Sequence, residues 1–173
     1  WDAQVDMVAP ETMPATRAAN SALDKVQAQF AEVAEMLAEY GGTDLLCYRA
    51  EGPEALVARQ AAGWDPLLDW ARDRYQAPLV ATAGVMFIAQ PPGSIAALRA
   101  AVFDQTPFQL AALHDLIAIT GSLVLGLAVA EGRLSADEAF SLSRIDEHWQ
   151  IEQWGEDEEA AAKEGVKLQA LRD

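Results

Sequence analysis

The chain has 173 residues, 51% of them apolar, with 27 acidic against 12 basic groups and a net charge of −15 at pH 7. That is enough for one domain with a substantial core, too apolar for a disordered chain, and too acidic for a nucleic-acid groove or an anionic membrane surface. A single cysteine, Cys47, excludes an internal disulfide, and two histidines leave no Cys/His set for a structural zinc, so a reducing, intracellular setting is expected.

The chain opens at Trp1 with no basic segment leading into an apolar run, and is expected to be a fragment or a processed form. After Pro10 and Pro14, residues 15–40 carry Ala22, Val26, Phe30, Val33 and Leu37 at helical spacing, with Gly41-Gly42 as a left-handed stop. Thr43 is placed to cap a short turn over Leu45 to Tyr48, in which Cys47 is a small core residue. Pro53 is expected to begin a helix toward Gly63, and Asp65-Pro66 to cap and begin a second, so that two short helices meet at a corner beside a packed Trp64. Val80, Val85, Phe87 and Ile88 favour extended structure but lie between Gly84 and Pro91-Pro92, which predicts an extended loop with a short strand near 79–90.

Ser94 is expected to cap a helix through Phe103, and Thr106-Pro107 to start a hub helix over about 107–130. The hub is apolar nearly all round, with His114, Asp115 and Ser122 as a narrow polar side, which predicts burial. Its uninterrupted apolar run, 116–130, falls short of the roughly 20 residues that span a bilayer. Gly121 and Gly126 each cost about 1 kcal/mol in helix propensity, so close backbone approach is expected at both. Ser135 and Glu138 form a capping box that opens a helix over 136–154, ended by Gly155. A last helix, 156–171, starts with Glu156, Asp157, Glu158 and Glu159, where carboxylates meet a favourable dipole.

The 136–154 helix is the unusual element. At 100° per residue Leu142, Ile145 and Trp149 form a core stripe, while Phe140, Ile151 and Trp154 lie opposite, with Glu147 among them and Arg144 and Asp146 close by. Two apolar faces require two partners. Arg144 and Glu147, three apart, are spaced to pair, either as a structural ion pair or with the carboxylate free for a partner. Enzyme readings are weaker: neighbours on a helix diverge, so neither His148 with Asp146 and Glu147 nor His114 with Asp115 is expected to form a relay. No phosphate loop, nucleophile elbow, zinc motif or calcium loop is present, and no metal or cofactor is expected. A hydrolase or transferase using His148, Asp146 or His114 is the alternative, and a purely structural helical domain another.

Five ordered motifs carry a resemblance: M-P-x-T-R-x-A-N-x-A-L-D from Met13, T-D-L-L-C-Y-R-A from Thr43, Gln60 followed by W-D-P-L-L-x-W from Trp64, G-S-L-V-L from Gly121, and D-E-x-W-Q-x-x-x-W-G-E-D from Asp146. Together they resemble the ATP-twelve family, assembly chaperones for the alpha subunit of the catalytic sector of F-type ATP synthase. The resemblance covers nearly the whole chain and implies the family's helical C-terminal domain, residues 1–173 as one domain, without the N-terminal β domain. It implies a non-enzymatic binder of unassembled alpha subunit that covers the surface destined for the beta subunit. An important acidic residue of the family falls in the segment from Asp146 to Asp157, and Glu147 matches it, with Asp146, Phe140, Arg144, Ile151 and Trp154 as partner-binding neighbours. The fold expected is an all-α orthogonal bundle of about seven helices around the buried hub. The free protein is expected to be monomeric, without membrane insertion, in a bacterial cytoplasm or, alternatively, a mitochondrial matrix.

Overall fold

Residues 28–155 and 164–170 are described by the computed structural model, and their fold class is all-α. Helix α1 (Phe30–Glu39) buries Ala34, Leu37 and Ala38, as the apolar period predicts; residues 15–27 of the expected helix lie outside the described part. Gly41-Gly42 does not stop it in a left-handed turn. The chain tightens into a 3-10 turn, Tyr40–Thr43, in which Gly41 is buried with Leu98 and Leu123 packed around it; a Cβ there would meet their side chains at ordinary contact distance, 3.4 Å. The next 3-10 turn, Leu45–Cys47, is capped by Asp44, whose carboxylate accepts from Leu46 N, and not by Thr43. Cys47 is buried there, and burial pushes its thiol up to about 12.

The expected corner at Asp65-Pro66 is absent: helix α2 runs unbroken over Glu54–Tyr75 with Pro66 inside it. A proline in a helix interior costs about 3 kcal/mol. Against that, Leu56, Gln60, Trp64, Leu67, Leu68 and Ala71 form one buried stripe across the proline, worth about 1.5–3 kcal/mol for each large apolar member. Trp64 is a packing residue, as expected, and its indole donates to Leu142 O at 2.7 Å. Asp65 caps nothing; it receives the Arg49 guanidinium at 2.7 Å. Strand β1 (Tyr48–Arg49) and strand β2 (Thr82–Ala83) then pair in parallel, Tyr48 opposite Thr82, which supplies the short strand expected in the 79–90 segment.

Helix α3 (Pro92–Phe103) begins before Ser94, whose hydroxyl instead donates to Pro78 O at 2.6 Å. Thr106 and Gln109 form a capping box for helix α4 (Pro107–Thr120). The single hub helix expected over 107–130 is in fact two. Gly121 turns left-handed (φ 72°), and Ser122 caps helix α5 (Leu123–Ala130) by accepting from Leu125 N while its hydroxyl donates to Asp44 at 2.7 Å. Asp44, fully buried, also accepts from Val124 N at 2.9 Å, so one carboxylate ties the 3-10 turn to the break between the helices. Only α5 is buried all round. Leu123 and Leu127 belong to a core shared with α1, α3 and α4, whereas Val124, Leu125 and Ala128 face a second core with α2, Leu46 and Cys47. Close approach holds for Gly126, where a Cβ would meet Leu113 Cδ1 at 2.9 Å; around Gly121 there is open space, and the backbone turn alone explains the glycine.

Helix α6 (Ala136–Ser143) starts at the expected Ser135/Glu138 capping box, but ends at Ser143, and helix α7 (Ile145–Trp154) follows after a kink at Arg144 (φ −110°, ψ 18°). The Ser143 hydroxyl donates to Phe140 O at 2.7 Å, a local bond that competes with the helical ladder. Gly155 ends α7 with φ 88°. Residues 164–170 are helical, while Glu156 to Glu159, the expected acidic first turn, lie outside the described residues. No helix among the described residues is long and apolar enough to cross a membrane.

Candidate cleft on the last helices

The kink at Arg144 changes which side chains share a face. A single 3.6-residue projection across 136–154 does not apply, and Phe140, assigned by it to the outward stripe, is buried at 3% exposure. Of the core stripe, Ile145 is buried and Leu142 and Trp149 are partly buried against the α2 side of the core, as expected. The outward set therefore reduces to α7 itself: Ile151 half-buried and Trp154 80% exposed, with Arg144, Asp146 and Glu147 partly exposed.

A cleft of about 240 Å³ lies between the start of α2 and α7, lined by Gly52, Pro53, Leu56, Asp146, Trp149, Gln150 and Trp154. Small-molecule pockets usually hold about 300–1,000 Å³, so its size suits an inserted side chain better than a substrate. Asp146 is held at its wall by Gln60, whose amide Nε2 donates to Oδ1 at 2.5 Å while its Oε1 accepts from Ala50 N at 2.8 Å. Gln60 is fully buried, so the orientation of Asp146 is set from inside the core. Glu147 pairs with Arg144 at 2.8 Å, the i,i+3 contact read from the spacing, and the Nε of Arg144 is buried without an acceptor. Arg59 from α2 stacks its guanidinium 5.0 Å over the Trp149 ring and grips Glu152 with two bonds of 2.7 and 2.9 Å. That contact holds the Glu152 carboxyl below its ordinary range. The face thus combines aromatic surface, oriented carboxylates and an indole left in water.

The histidines stand apart from this arrangement. His148 bonds Glu164 at 2.9 Å, joining α7 to the 164–170 helix rather than turning to Asp146. His114 and Asp115 do meet, at 2.9 Å, contrary to the expectation that helix neighbours diverge, but both are exposed on α4 and neither lines the cleft. Among the described residues no group of three or more His, Cys, Asp or Glu is placed to hold a metal ion. Sequence reasoning missed Gln60, Arg59 and the Gly52-Pro53 wall as parts of the site. Gln60 stood only inside a motif, and nothing in a one-dimensional pattern marks a buried amide as the support of an aspartate 86 positions later.

Comparison with known proteins places this geometry in context. The family model described as ATP12 chaperone protein matches residues 1–72. The crystal structure of Atp12 from Paracoccus denitrificans is 55% identical, with a TM-score of 0.96, over 99% of this chain and 74% of that one. An aspartate-to-lysine mutant of P. denitrificans Atp12p gives 54% identity with the same coverage and TM-score. The Atu1473 protein of Agrobacterium tumefaciens is 46% identical, with a TM-score of 0.91, over 99% of this chain and 65% of its own.

Proposed function

The chain belongs to the ATP12 chaperone family, and from that premise we propose that it binds the unassembled alpha subunit of the F-type ATP synthase catalytic sector. It covers the beta-facing surface of that subunit until assembly and consumes no ATP. The bacterial cytoplasm is the compartment proposed. The observation that carries the reading is the match to Atp12 of P. denitrificans, 55% identical with a TM-score of 0.96 over 99% of this chain and 74% of that one. The α7 face supports it from the side of physics, since an apolar side chain left in water gains by burial in a partner.

In this reading Trp154 and Ile151 provide apolar contact and Asp146 and Glu147 meet basic or hydrogen-bond-donating groups of the client. A well-buried aromatic contributes about 1.5–3 kcal/mol. Phe140 takes no direct part, because it is already buried. Arg144 keeps Glu147 in place through their 2.8 Å ion pair. Of the two acids, Asp146 faces the cleft and is also bound to Gln60, so its replacement disturbs the core; Glu147 is the cleaner probe.

The test is a pull-down with separately expressed alpha and beta subunits. Alpha should be retained and beta not, and retention of neither defeats the reading. Glu147→Lys should abolish protection of alpha while the melting temperature changes little. A large drop in melting temperature would make Glu147 a structural residue instead.

A further inference from the structure

Three of the four most exposed large apolar side chains away from α7, among the described residues, are consecutive: Val85 at 96%, Met86 at 78% and Phe87 at 69%; the fourth, Val166 at 72%, stands alone on the 164–170 helix. Isolated surface hydrophobics need no explanation, but three in a row at the tip of one loop do. The loop is anchored at both ends. Gly84 N donates to Arg49 O at 2.8 Å, and the Gln90 side-chain amide closes on Val80, accepting from its N–H at 2.8 Å and donating to its carbonyl at 2.9 Å. Gln90 is itself buried, so the core presents the tip outward.

Strand β2 leads directly into this tip and is paired on one side only, with β1, leaving an outer edge. Unpaired edges and apolar tips invite pairing with another chain, and proteins ordinarily blunt them with charge or cover. Of the charges beside it, Arg49 opposite Ala83 is taken up by Asp65 at 2.7 Å, which leaves an acidic one: a Cβ added at Gly84 would stand 3.4 Å from the carboxyl group of Glu51. Glu51, beside Gly84 at the base of the tip, is followed in the chain by Gly52 and Pro53, which line the α7 cleft, so the base of the tip lies next to the cleft wall.

We propose that the β2 edge and the Val85-Met86-Phe87 tip form a second docking element, continuous with the α7 cleft, that takes an extended apolar segment with basic flanks from the same client. Extended form follows from the open strand edge, which recognises main-chain groups, and from side chains placed in succession beyond it. Basic flanks follow from Glu51 and from the −15 net charge. The proposal rests on the client reading above.

The experiment uses the full chain and purified alpha subunit. The triple variant Val85→Ser, Met86→Ser, Phe87→Ser removes only exposed side chains, so its melting temperature should match the parent protein. Its affinity for alpha should fall by about tenfold or more. A photo-crosslinking residue at position 87 should mark an extended, apolar stretch of alpha. Unchanged affinity together with retained capture of alpha by the parent protein overturns the second element and leaves the client reading standing. Crosslinks between two copies of this chain, or to a helical face of alpha, also overturn it. Failure of the parent protein to capture alpha removes both.

Discussion

Helices α5 and α7 are both short, 8 and 10 residues, and each has an aspartate at a critical place, yet the two aspartates are completed in opposite ways. Asp44, at the start of α5, is fully buried and receives Leu46 N, Val124 N and the Ser122 hydroxyl, all from its own chain. Asp146, in the first turn of α7, receives Gln60 and otherwise faces an open cleft. A buried carboxylate is tolerable only when its hydrogen bonds are made, so the chain has closed the first site for stability. The second is oriented from inside and unfinished outside. The contrast separates what the fold completes for itself from what it leaves open, the face that the proposed function assigns to a partner.

The largest expected break of that contrast is at the hub. Asp44→Ala would strand three buried donors, at about 1–3 kcal/mol each, against a total stability of about 5–15 kcal/mol for such a domain. The urea midpoint should fall steeply, and alpha capture should fall only with the unfolded fraction. A variant as stable as the parent would mean that Asp44 is not the tie between the 3-10 turn and α5. Next in size is Gly126→Val. Its new Cβ would lie 2.9 Å from Leu113 Cδ1 and 3.0 Å from Ile117 Cγ1, inside a packed helix contact. Overpacking of that kind costs about 1–3 kcal/mol, less a few tenths regained in helix propensity over glycine. Thermal unfolding measures it, and no loss would show that α4 and α5 can slide apart.

Much of this division was legible in the sequence, and the two largest failures share a cause. Periodicity and capping signals found α1, the cap at Thr106, the capping box at Ser135 and the apolar character of α5, because each depends on residues within one or two turns. It failed where a local signal was outweighed from a distance. Pro66 reads as a helix start, but the stripe from Leu56 to Ala71 and the bond from Trp64 to Leu142 keep α2 whole. Thr120-Gly121-Ser122 reads as the interior of a long apolar helix, but Asp44, 78 positions before Ser122, stabilises a break there. The kink at Arg144 escaped for another reason: the Ser143 hydroxyl bonds Phe140 O within the same turn, which apolar periodicity does not register, and with the kink Phe140 moved from the outward stripe into the interior. The candidate site was therefore half legible: Asp146, Glu147, Ile151 and Trp154 stayed together because they sit on one unbroken helix, whereas the α2 side of the cleft, Gln60 above all, required the fold.

The smallest expected effect on stability comes from the residue that most sharpens the contrast. Trp64 and Trp154 are the same side chain used in opposite ways: the first is 1% exposed with its indole N–H bonded inside the protein, the second is 80% exposed at the end of α7. Trp154→Ala removes almost no buried area, and surface changes of this kind usually stay within about 0.5 kcal/mol. Its melting temperature should therefore be that of the parent, while its retention of alpha subunit should drop, since an indole buried in a partner is among the strongest single contributors to an interface. Loss of both stability and binding would place Trp154 with Trp64 as a core residue whose cover lies outside residues 28–155 and 164–170. Loss of neither would leave the α7 face without its main apolar anchor, and the burden of recognition would fall on Ile151, Asp146 and Glu147.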